Sequence, residues 1–313
     1  MNFAFGDEWK SRNAQHRTNP SVLLSALANP QTRILPFWRG KPHLQAEGLC
    51  WAKIHDPILS HARQPYLYLG QHQSRDIFAA DISAWEPDAL DRAALAMFTD
   101  TSIQIHPDAP KGGYFGELRL AMVQLPGTEA ALAATARALF NWHRTHRYCA
   151  SCGQQTDISA AGWERACPAC SAKHFPRTDP VVIMLVTYEN KLLLGRSYGW
   201  PEKMYSALAG FIEPGETLET AVSREVWEET RVQLRDIRYI ASQPWPFPNS
   251  LMFGCIATAL GTELTLDEEL EDAIWLTRED VLLSWTGHHN SVRPARKGSI
   301  AHYMIGQWLA GRV

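Results

Sequence analysis

The sequence predicts an α/β (α+β) chain. A mixed sheet flanked by helices, an α/β/α sandwich, is expected over residues 176–313, preceded by a small four-cysteine module and an N-terminal α+β domain. Three observations predict it. Apolar runs of strand length alternate with helical patterns from Val181 to Leu309. Two C-x₂-C pairs, Cys149/Cys152 and Cys167/Cys170, stand fourteen residues apart. One helical stretch from Leu218 carries a core stripe that turns acidic along its length. The expected domains are 1–126, 127–175 and 176–313.

Composition sets the class. With 313 residues, 45% hydrophobic and 20% charged, the chain is globular and long enough for a sizeable core. A net charge of −3 gives no general attraction to nucleic acid. No apolar run approaches membrane-spanning length, so no membrane partner is expected. The start, MNFAFGDEWKSRN, does not read as a secretory signal, and the expected location is cytoplasmic. Cys50 and Cys255 then read as buried thiols, not a disulfide.

The elements follow in order. Tyr66–Leu69 and Leu118–Val123 read as strands and Asp88–Phe98 as a helix, with no chemical motif before residue 126. The Ala-rich stretch Thr128–His146 is a strong helix candidate. Val181–Thr187 is a buried strand; Glu189-Asn190 turns it into Lys191–Leu194. Ala207–Ile212 is a strand leading into the turn Glu213-Pro214-Gly215-Glu216 and the acidic helix. Ile237–Ala241, Leu251–Leu260 and Ala273–Leu276 are strands, and Ser299–Leu309 a closing helix. The first two of these strands are expected to flank a loop, Gln243 to Ser250.

The cysteines come as two C-x₂-C units at ribbon spacing. Four thiolates so arranged suit tetrahedral Zn²⁺, closed and structural. His174 lies nearby, but Cys149, Cys152, Cys167 and Cys170 already fill the site. Few basic residues surround it, so it reads as a staple for the fold.

The acidic helix is the chemical signal. From Leu218, positions i+3, i+4 and i+8 are Ala221, Val222 and Val226, an ordinary buried stripe. Positions i+7 and i+11 are Glu225 and Glu229, with Glu228 on the same side. Three carboxylates beside a core are costly unless neutralised, and negative charge in the last turn opposes the helix dipole. A hard divalent cation with oxygen ligands answers both. Arg224, one turn before Glu228, is expected to hold that carboxylate in place by an i,i+4 pair. Glu216 admits two readings of equal weight: a group that assists the metal site or acts as a base, or a favourable charge at the helix start.

The segment Gly210–Val232, GFIEPGETLETAVSREVWEETRV, resembles the Nudix box, G-x₅-E-x₇-R-E-U-x-E-E-x-G-U with U bulky and aliphatic. Arg231 stands where the pattern has Gly, which implies a differently capped or slightly longer helix end. The four-cysteine module, the box, and then Ser242-Gln243-Pro244-Trp245-Pro246-Phe247-Pro248 with Ser250 together resemble the NADH pyrophosphatase subfamily. The resemblance covers roughly residues 140–310.

That resemblance implies hydrolysis of NADH and NAD⁺ to nicotinamide mononucleotide and AMP; some members also remove NAD caps from RNA 5′ ends. It implies that Glu225, Glu228 and Glu229 hold Mg²⁺ or Mn²⁺, with the carbonyl of Ala209 and Glu269 as further ligands. Phe211 and Trp245 are implied at the nicotinamide end of the dinucleotide, and Phe175 at the adenine end, across a homodimer interface. Gln243, Pro244, Trp245, Pro246, Phe247, Pro248, Asn249 and Ser250 are implied as the substrate loop, and Ala301 as a backbone contact. The prolines stiffen that loop; Trp245 is expected on substrate and Phe247 in the core. Two rivals share the same residues: a hydrolase of ADP-ribose or nucleotide sugars, and a non-catalytic nucleic-acid-binding sensor. The complete carboxylate set and near-neutral charge argue against the sensor.

Overall fold

The computed structural model describes residues 3–7, 9, 11–88, 90 and 100–313. It packs as two compact units. One comprises Met1–Gly6, Thr178–Trp245 and Ser250–Val313; the other comprises Asp7–Arg177 and Pro246–Asn249.

In the unit containing Asp7–Arg177, the helix α1 (Pro20–Ala28) starts with Pro at its first position, and Asn19 caps it by accepting from the Val22 N–H. A sheet follows, built from β1 (Arg33–Trp38), β2 (Lys41–Gln45), β3 (Gly48–Leu49), β4 (Arg63–His72), β5 (Arg75–Asp81) and β6 (Tyr114–Phe115). Its order is β3-β2-β1-β5-β4 with β6 beside β2, and β1 and β5 run parallel. Ile34, Trp38, Tyr68, Phe78 and Phe115 are part of one core cluster. The helix expected over Asp88–Phe98 falls almost wholly outside the described residues.

Leu118–Val123 is not a strand. Leu118–Ala121 forms the short helix α2, capped by the Glu117 carboxylate, which accepts from the Arg119 N–H. The burial shows why. Alternation would bury Leu118, Leu120 and Met122, but the buried residues are Leu118, Ala121, Met122 and Leu125, a helical period, while Leu120 and Val123 are exposed. The helix α3 (Gly127–Thr145) comes as expected from its alanines and buries Leu132, Leu139 and Trp142. Beyond it lies a three-stranded sheet of β7 (Asp157–Ser159), β8 (Glu164–Ala166) and β9 (Lys173–His174). Cys50 and Cys255 are buried free thiols, as the sequence suggests.

The other unit is the sandwich. Its sheet runs β13-β14-β10-β11-β15, with β12 also paired to β10. These strands are β10 (Asp179–Tyr188), β11 (Lys191–Ser197), β12 (Leu208–Phe211), β13 (Leu234–Trp245), β14 (Ser250–Ala259) and β15 (Leu270–Thr277). It is mixed because β10 and β14 are parallel while the other pairs are antiparallel. The apolar run on β10 serves two layers by simple alternation. Val182, Met184 and Val186 face α4 (Leu218–Thr230) with Ala221, Val222 and Val226. Ile183 and Leu185 face α5 (Arg278–Trp285) and α6 (Ile300–Leu309) with Val281, Met304 and Trp308.

Two expectations need correction. The stretch Gln243 to Ser250 is not one loop: Gln243, Pro244 and Trp245 finish β13, opposite Met252, Leu251 and Ser250 of β14. Only residues 246–249 turn. Prolines suggested a break, yet Pro244 tolerates the ladder because β13 is the sheet's edge strand. Nor does Arg231 change the helix end. It takes the left-handed conformation itself (φ 61°), and its N–H bonds the Trp227 carbonyl at 2.9 Å. Arg therefore occupies a backbone state that favours glycine. Arg231→Gly is expected to stabilise the protein by roughly 0.5–1 kcal/mol, and Arg231→Val to destabilise it by about 1–2 kcal/mol. Urea unfolding midpoints measure both; a loss on introducing Gly contradicts the strain.

Candidate functional site

The helix α4 begins with a capping box: the Thr217 hydroxyl accepts from the Thr220 N–H, and the Thr220 hydroxyl accepts from the Thr217 N–H. This fixes the start of the helix that carries the acids. Just before it, Glu216 folds back onto Arg224. The guanidinium grips this carboxylate through Nε (2.6 Å) and Nη2 (2.9 Å), while Glu216 also accepts from the Glu213 N–H. Arg224 Nη1 reaches Glu225 (3.0 Å) and Glu228 (2.9 Å), and Nη2 donates to the Phe211 carbonyl (2.9 Å). The orienting role of Arg224 thus extends to three carboxylates and one strand end. Of the readings of Glu216, these bonds favour a group that assists the site, through Arg224. Its hydrogen bonds to Arg224 and to the Glu213 N–H hold its carboxyl down at about 2, too acidic for a base near neutral pH. It clamps Arg224.

Gly210, the first residue of the box, lies at the end of β12 against the Glu225 carboxylate. A Cβ there would stand 1.9 Å from the carboxyl carbon, so the glycine is what admits Glu225 to this position. Ala209 precedes it, exposed and in register with Ile183.

Glu229 is the group under greatest constraint. It is 6% exposed, and its Oε2 is a buried oxygen without a hydrogen-bond partner. Burial, reinforced by the charges of Glu225, Asp267, Glu269 and Glu228, pushes its carboxyl up to about 8. Burial raises Glu225 as well, against the pull of Arg224. Asp267 was not singled out from sequence, where it is one acid in the run DEELED. The fold brings it in by backbone lacing: Thr265 N–H bonds the Thr230 carbonyl (3.0 Å) and Asp267 N–H the Glu229 carbonyl (3.4 Å). These bonds satisfy carbonyls at the C-terminal end of α4 and bring Asp267 and Glu269 to the acidic end. Asp267 then accepts from the Glu269 N–H (2.9 Å). An orphaned buried carboxylate oxygen among acids that raise one another suits a hard divalent cation, for which Glu225, Glu228, Glu229 and Glu269 would be the candidate oxygen donors.

The thiol centre is tighter. The ligand atoms of Cys149, Cys152, Cys167 and Cys170 lie within 4.8 Å of one another, the one such cluster among the described residues. Cys149–Cys170 and Cys152–Cys167 are 3.6 and 3.5 Å apart. A zinc tetrahedron with ~2.3 Å bonds has edges of ~3.8 Å. The two knuckles share one backbone design: Gly153 N–H bonds the Cys149 carbonyl and Ser171 N–H the Cys167 carbonyl, both at 2.9 Å. His174 Nε2 contacts the Cys149 sulfur at 3.3 Å and so supports a ligand instead of replacing one.

The remaining predicted residues separate. Phe211 (58% exposed) and half-buried Trp245 belong to the sandwich unit, and Trp245 meets Phe5 edge-on at 6.4 Å. Phe175 (66% exposed) belongs to the other unit. Pro244 and Pro248 are exposed and Ser250 half-buried. Gln243 is fully buried and spent internally: Nε2 donates to the Ala4 and Gly298 carbonyls, and Oε1 accepts from the Ile300 N–H at 2.6 Å. Its amide hydrogens are both taken, so its side chain braces the start of α6 instead of touching substrate. Ser299 caps the His302 N–H there, leaving Ala301 between two satisfied positions. Asn249 is likewise committed, to Asn141, the Ala138 carbonyl and the Arg177 carbonyl. Phe247 is not simple core: it is half-buried, with the guanidiniums of Arg119 and Arg137 over its ring at 4.3 and 4.5 Å. Arg137 also donates to the Pro246 carbonyl.

Three family models match the chain. A NUDIX domain covers residues 177–296, an NADH pyrophosphatase-like rudimentary NUDIX domain covers 31–142, and an NADH pyrophosphatase zinc ribbon domain covers 144–175. The chain is 43% identical over 219 residues to the NAD-capped RNA hydrolase NUDT12 of Homo sapiens, covering 66% of this chain and 45% of that one. It is 42% identical over 341 positions to NUDT12 of Pongo abelii, covering 95% of this chain and 71% of the relative. With the NAD-capped RNA hydrolase NudC of Stutzerimonas stutzeri it shares 40% identity over 212 residues, 67% of this chain and 73% of the relative. The chain thus spans less than half the length of the human relative. No helix of the described residues is long and apolar enough to cross a membrane.

Two outcomes are expected. A Glu229 carboxyl raised from 4.5 to about 8 keeps its proton where the unfolded chain has lost it. This group therefore withdraws stability as pH rises through that window. In protein that keeps its zinc and is dialysed free of Mg²⁺ and Mn²⁺, Glu229→Gln should flatten the fall in melting temperature across the window; identical slopes in both proteins would remove Glu229 from the repulsive cluster. Cys149→Ser should lose zinc and melt well below wild type. Normal melting without zinc would contradict a structural role.

Proposed function

The chain belongs to the NUDIX hydrolases of the NADH pyrophosphatase and NAD-capped RNA hydrolase family, and we propose that it hydrolyses the pyrophosphate bond of NADH and NAD⁺. The products are nicotinamide mononucleotide and AMP. The same bond would be cut at the NAD-capped 5′ end of an RNA, the substrate that the relatives' names carry. The observation that carries the reading is the buried, unpartnered oxygen of Glu229 within the acidic end of α4.

Glu225, Glu228 and Glu229, with Glu269 and the Ala209 carbonyl, would hold Mg²⁺ or Mn²⁺. A cation held there would supply positive charge against the phosphates and lower the pKa of a water. Water attacks one phosphorus, the bridging P–O bond breaks, and a proton is released. Arg224 keeps Glu225 and Glu228 aligned throughout, and Glu216 keeps Arg224 aligned. Phe211 and Trp245 would receive the nicotinamide end and the backbone at Ala301 a phosphate or ribose oxygen. We assign Phe175 to the adenine end in a homodimer; family resemblance and the exposure of its ring support this. The division of labour follows residues 1–126, 127–175 and 176–313: support, staple and chemistry.

Relative kcat/KM for NADH, NAD⁺ and ADP-ribose, with products identified in ¹⁸O water, tests the proposal. The dinucleotides are expected to lead. Much faster cleavage of ADP-ribose would move the assignment to another Nudix activity, and no cleavage with either cation would leave only a sensor. Glu229→Gln should reduce turnover more than ~100-fold while fold and zinc content stay intact.

A further inference from the structure

The unit formed by Asp7–Arg177 and Pro246–Asn249 contains a cavity of about 730 Å³ that the chemistry above does not use. Its volume is that of a small-molecule site. Six arginines line it: Arg39, Arg63, Arg137, Arg144, Arg147 and Arg165. Among the lining residues the one carboxylate is Asp81, which accepts from the Ser83 N–H. In a chain of net charge −3, so dense a set of one sign on one concave wall is not a solvated average.

The arginines fall into two groups. Arg165 is 5% exposed and preset: Nε and Nη2 donate to the Thr156 hydroxyl and carbonyl, and Nη1 meets His143 Nδ1 at 3.2 Å. Arg137 is held by the Gly40 carbonyl and the Pro246 carbonyl. Arg39, Arg63, Arg144 and Arg147 are exposed; Arg39 pairs with Glu86 and Arg144 donates to Asn141. Their charges oppose one another. Burial, and then Arg119 and Arg144, bring Arg137 down to about 10, against the pull of Glu117. Burial and Arg165 keep His143 neutral, at about 4, so it adds no charge and accepts from the guanidinium. Preset guanidiniums that repel one another are relieved by an anion with several oxygens, which they bind in a bidentate fashion.

The rest of the lining limits which anion. Half-buried Phe140 and Ile158 make an apolar portion, backed by buried Phe37 (5.4 Å from Phe140) and Leu67. Gln155 adds an exposed amide group, while Asn141 is engaged with Asn249 and Arg144. Flat apolar surface, an amide and clustered guanidiniums together match a base and its phosphates better than a bare inorganic ion.

We propose that this cavity is a nucleoside-phosphate binding site carried by that unit, separate from the carboxylate cluster and without hydrolytic groups of its own. It takes either a free nucleotide or a nucleotide of an RNA strand, since both present the same phosphate and base chemistry. Arg137 forms part of its wall and also grips Pro246 and Phe247, so an occupant touches the residue that anchors that turn.

The proposal does not depend on the hydrolytic reading, and its test is separable. Full-length protein that keeps its zinc and is dialysed free of Mg²⁺ and Mn²⁺ is titrated with ADP by calorimetry, and with an unmodified RNA octanucleotide. The comparison is an Arg63→Ala/Arg147→Ala double variant, which changes two exposed side chains. ADP or the octanucleotide is expected to bind wild type and to lose at least tenfold in affinity, or a full site in stoichiometry, in the variant. NADH turnover with metal stays within about twofold. Crystals soaked with ADP should show phosphate against Arg63, Arg147 or Arg165. RNA that binds and displaces ADP identifies the strand as the source; ADP binding alone identifies the free nucleotide. Equal affinity and stoichiometry in wild type and variant, or no binding of either probe, overturns the site.

Discussion

Arg224 is the constraint on which the catalytic geometry depends. One guanidinium joins a loop carboxylate, two helix carboxylates and a strand carbonyl. An isolated i,i+4 pair to half-exposed Glu228 is worth well under ~1 kcal/mol, so pairing alone would not justify the position. The value lies in geometry. The forked grip on Glu216 fixes the plane of the guanidinium, and that plane fixes where Glu225 and Glu228 point. Lysine has one charge centre and no fork, so it cannot hold four acceptors in one fixed arrangement. β12, the loop after it and α4 are thereby tied together at the place where the acids gather.

That arrangement works against stability. Glu225 and Glu229 are buried near like charges, and burial is the leading cause of the upward shift in both. Gly210 gives up a side chain to admit Glu225. Lacing of Thr265 and Asp267 onto the end of α4 adds two acids to a helix terminus that already repels them. None of this is how a helix end is built for stability. It is coherent only if the anionic oxygens have a partner for which they are preorganised, and a stable sandwich core on both faces of β10 carries the cost.

Much of this was legible in the chain, for physical reasons that differ by element. The short unbroken apolar run Val181–Thr187 and the stripe Ala221, Val222, Val226 report burial directly, so the strand and the helix fall where the sequence puts them. Fixed cysteine spacing encodes a tetrahedron, and four sulfurs close as the spacing requires. Failures arose where two rules compete. Leu118–Val123 is apolar enough for a strand, and only the packing of Leu118, Ala121 and Met122 against the core reveals a helix. The prolines of residues 244–248 suggested one loop, yet an edge strand accepts proline and the sheet continues to Trp245. Arg231 broke a glycine rule without altering the backbone it signals. Gln243 and Asn249 were expected at the substrate only because the resemblance implies a loop there; buried, each bonds neighbours remote in sequence. Asp267 was invisible because no spacing rule links a loop acid to a helix acid; hydrogen bonds between backbones do.

The zinc site and the proposed carboxylate site divide by donor chemistry and by closure. Four thiolates at tetrahedral spacing are soft donors with no open position, and matching backbone turns at Cys149 and Cys167 orient them. The carboxylates are hard donors, spread along a helix, a strand end and a loop, with Glu228 half-exposed and Arg224 sharing two of them. A closed soft site has nothing to offer a substrate, whereas a looser oxygen site leaves positions for water and phosphate oxygens. One chain can therefore hold a permanent zinc and an exchangeable hard cation without either competing for the other's ligands. Selectivity follows from the side chains that the two segments carry, with no discrimination needed beyond ligand softness and coordination geometry.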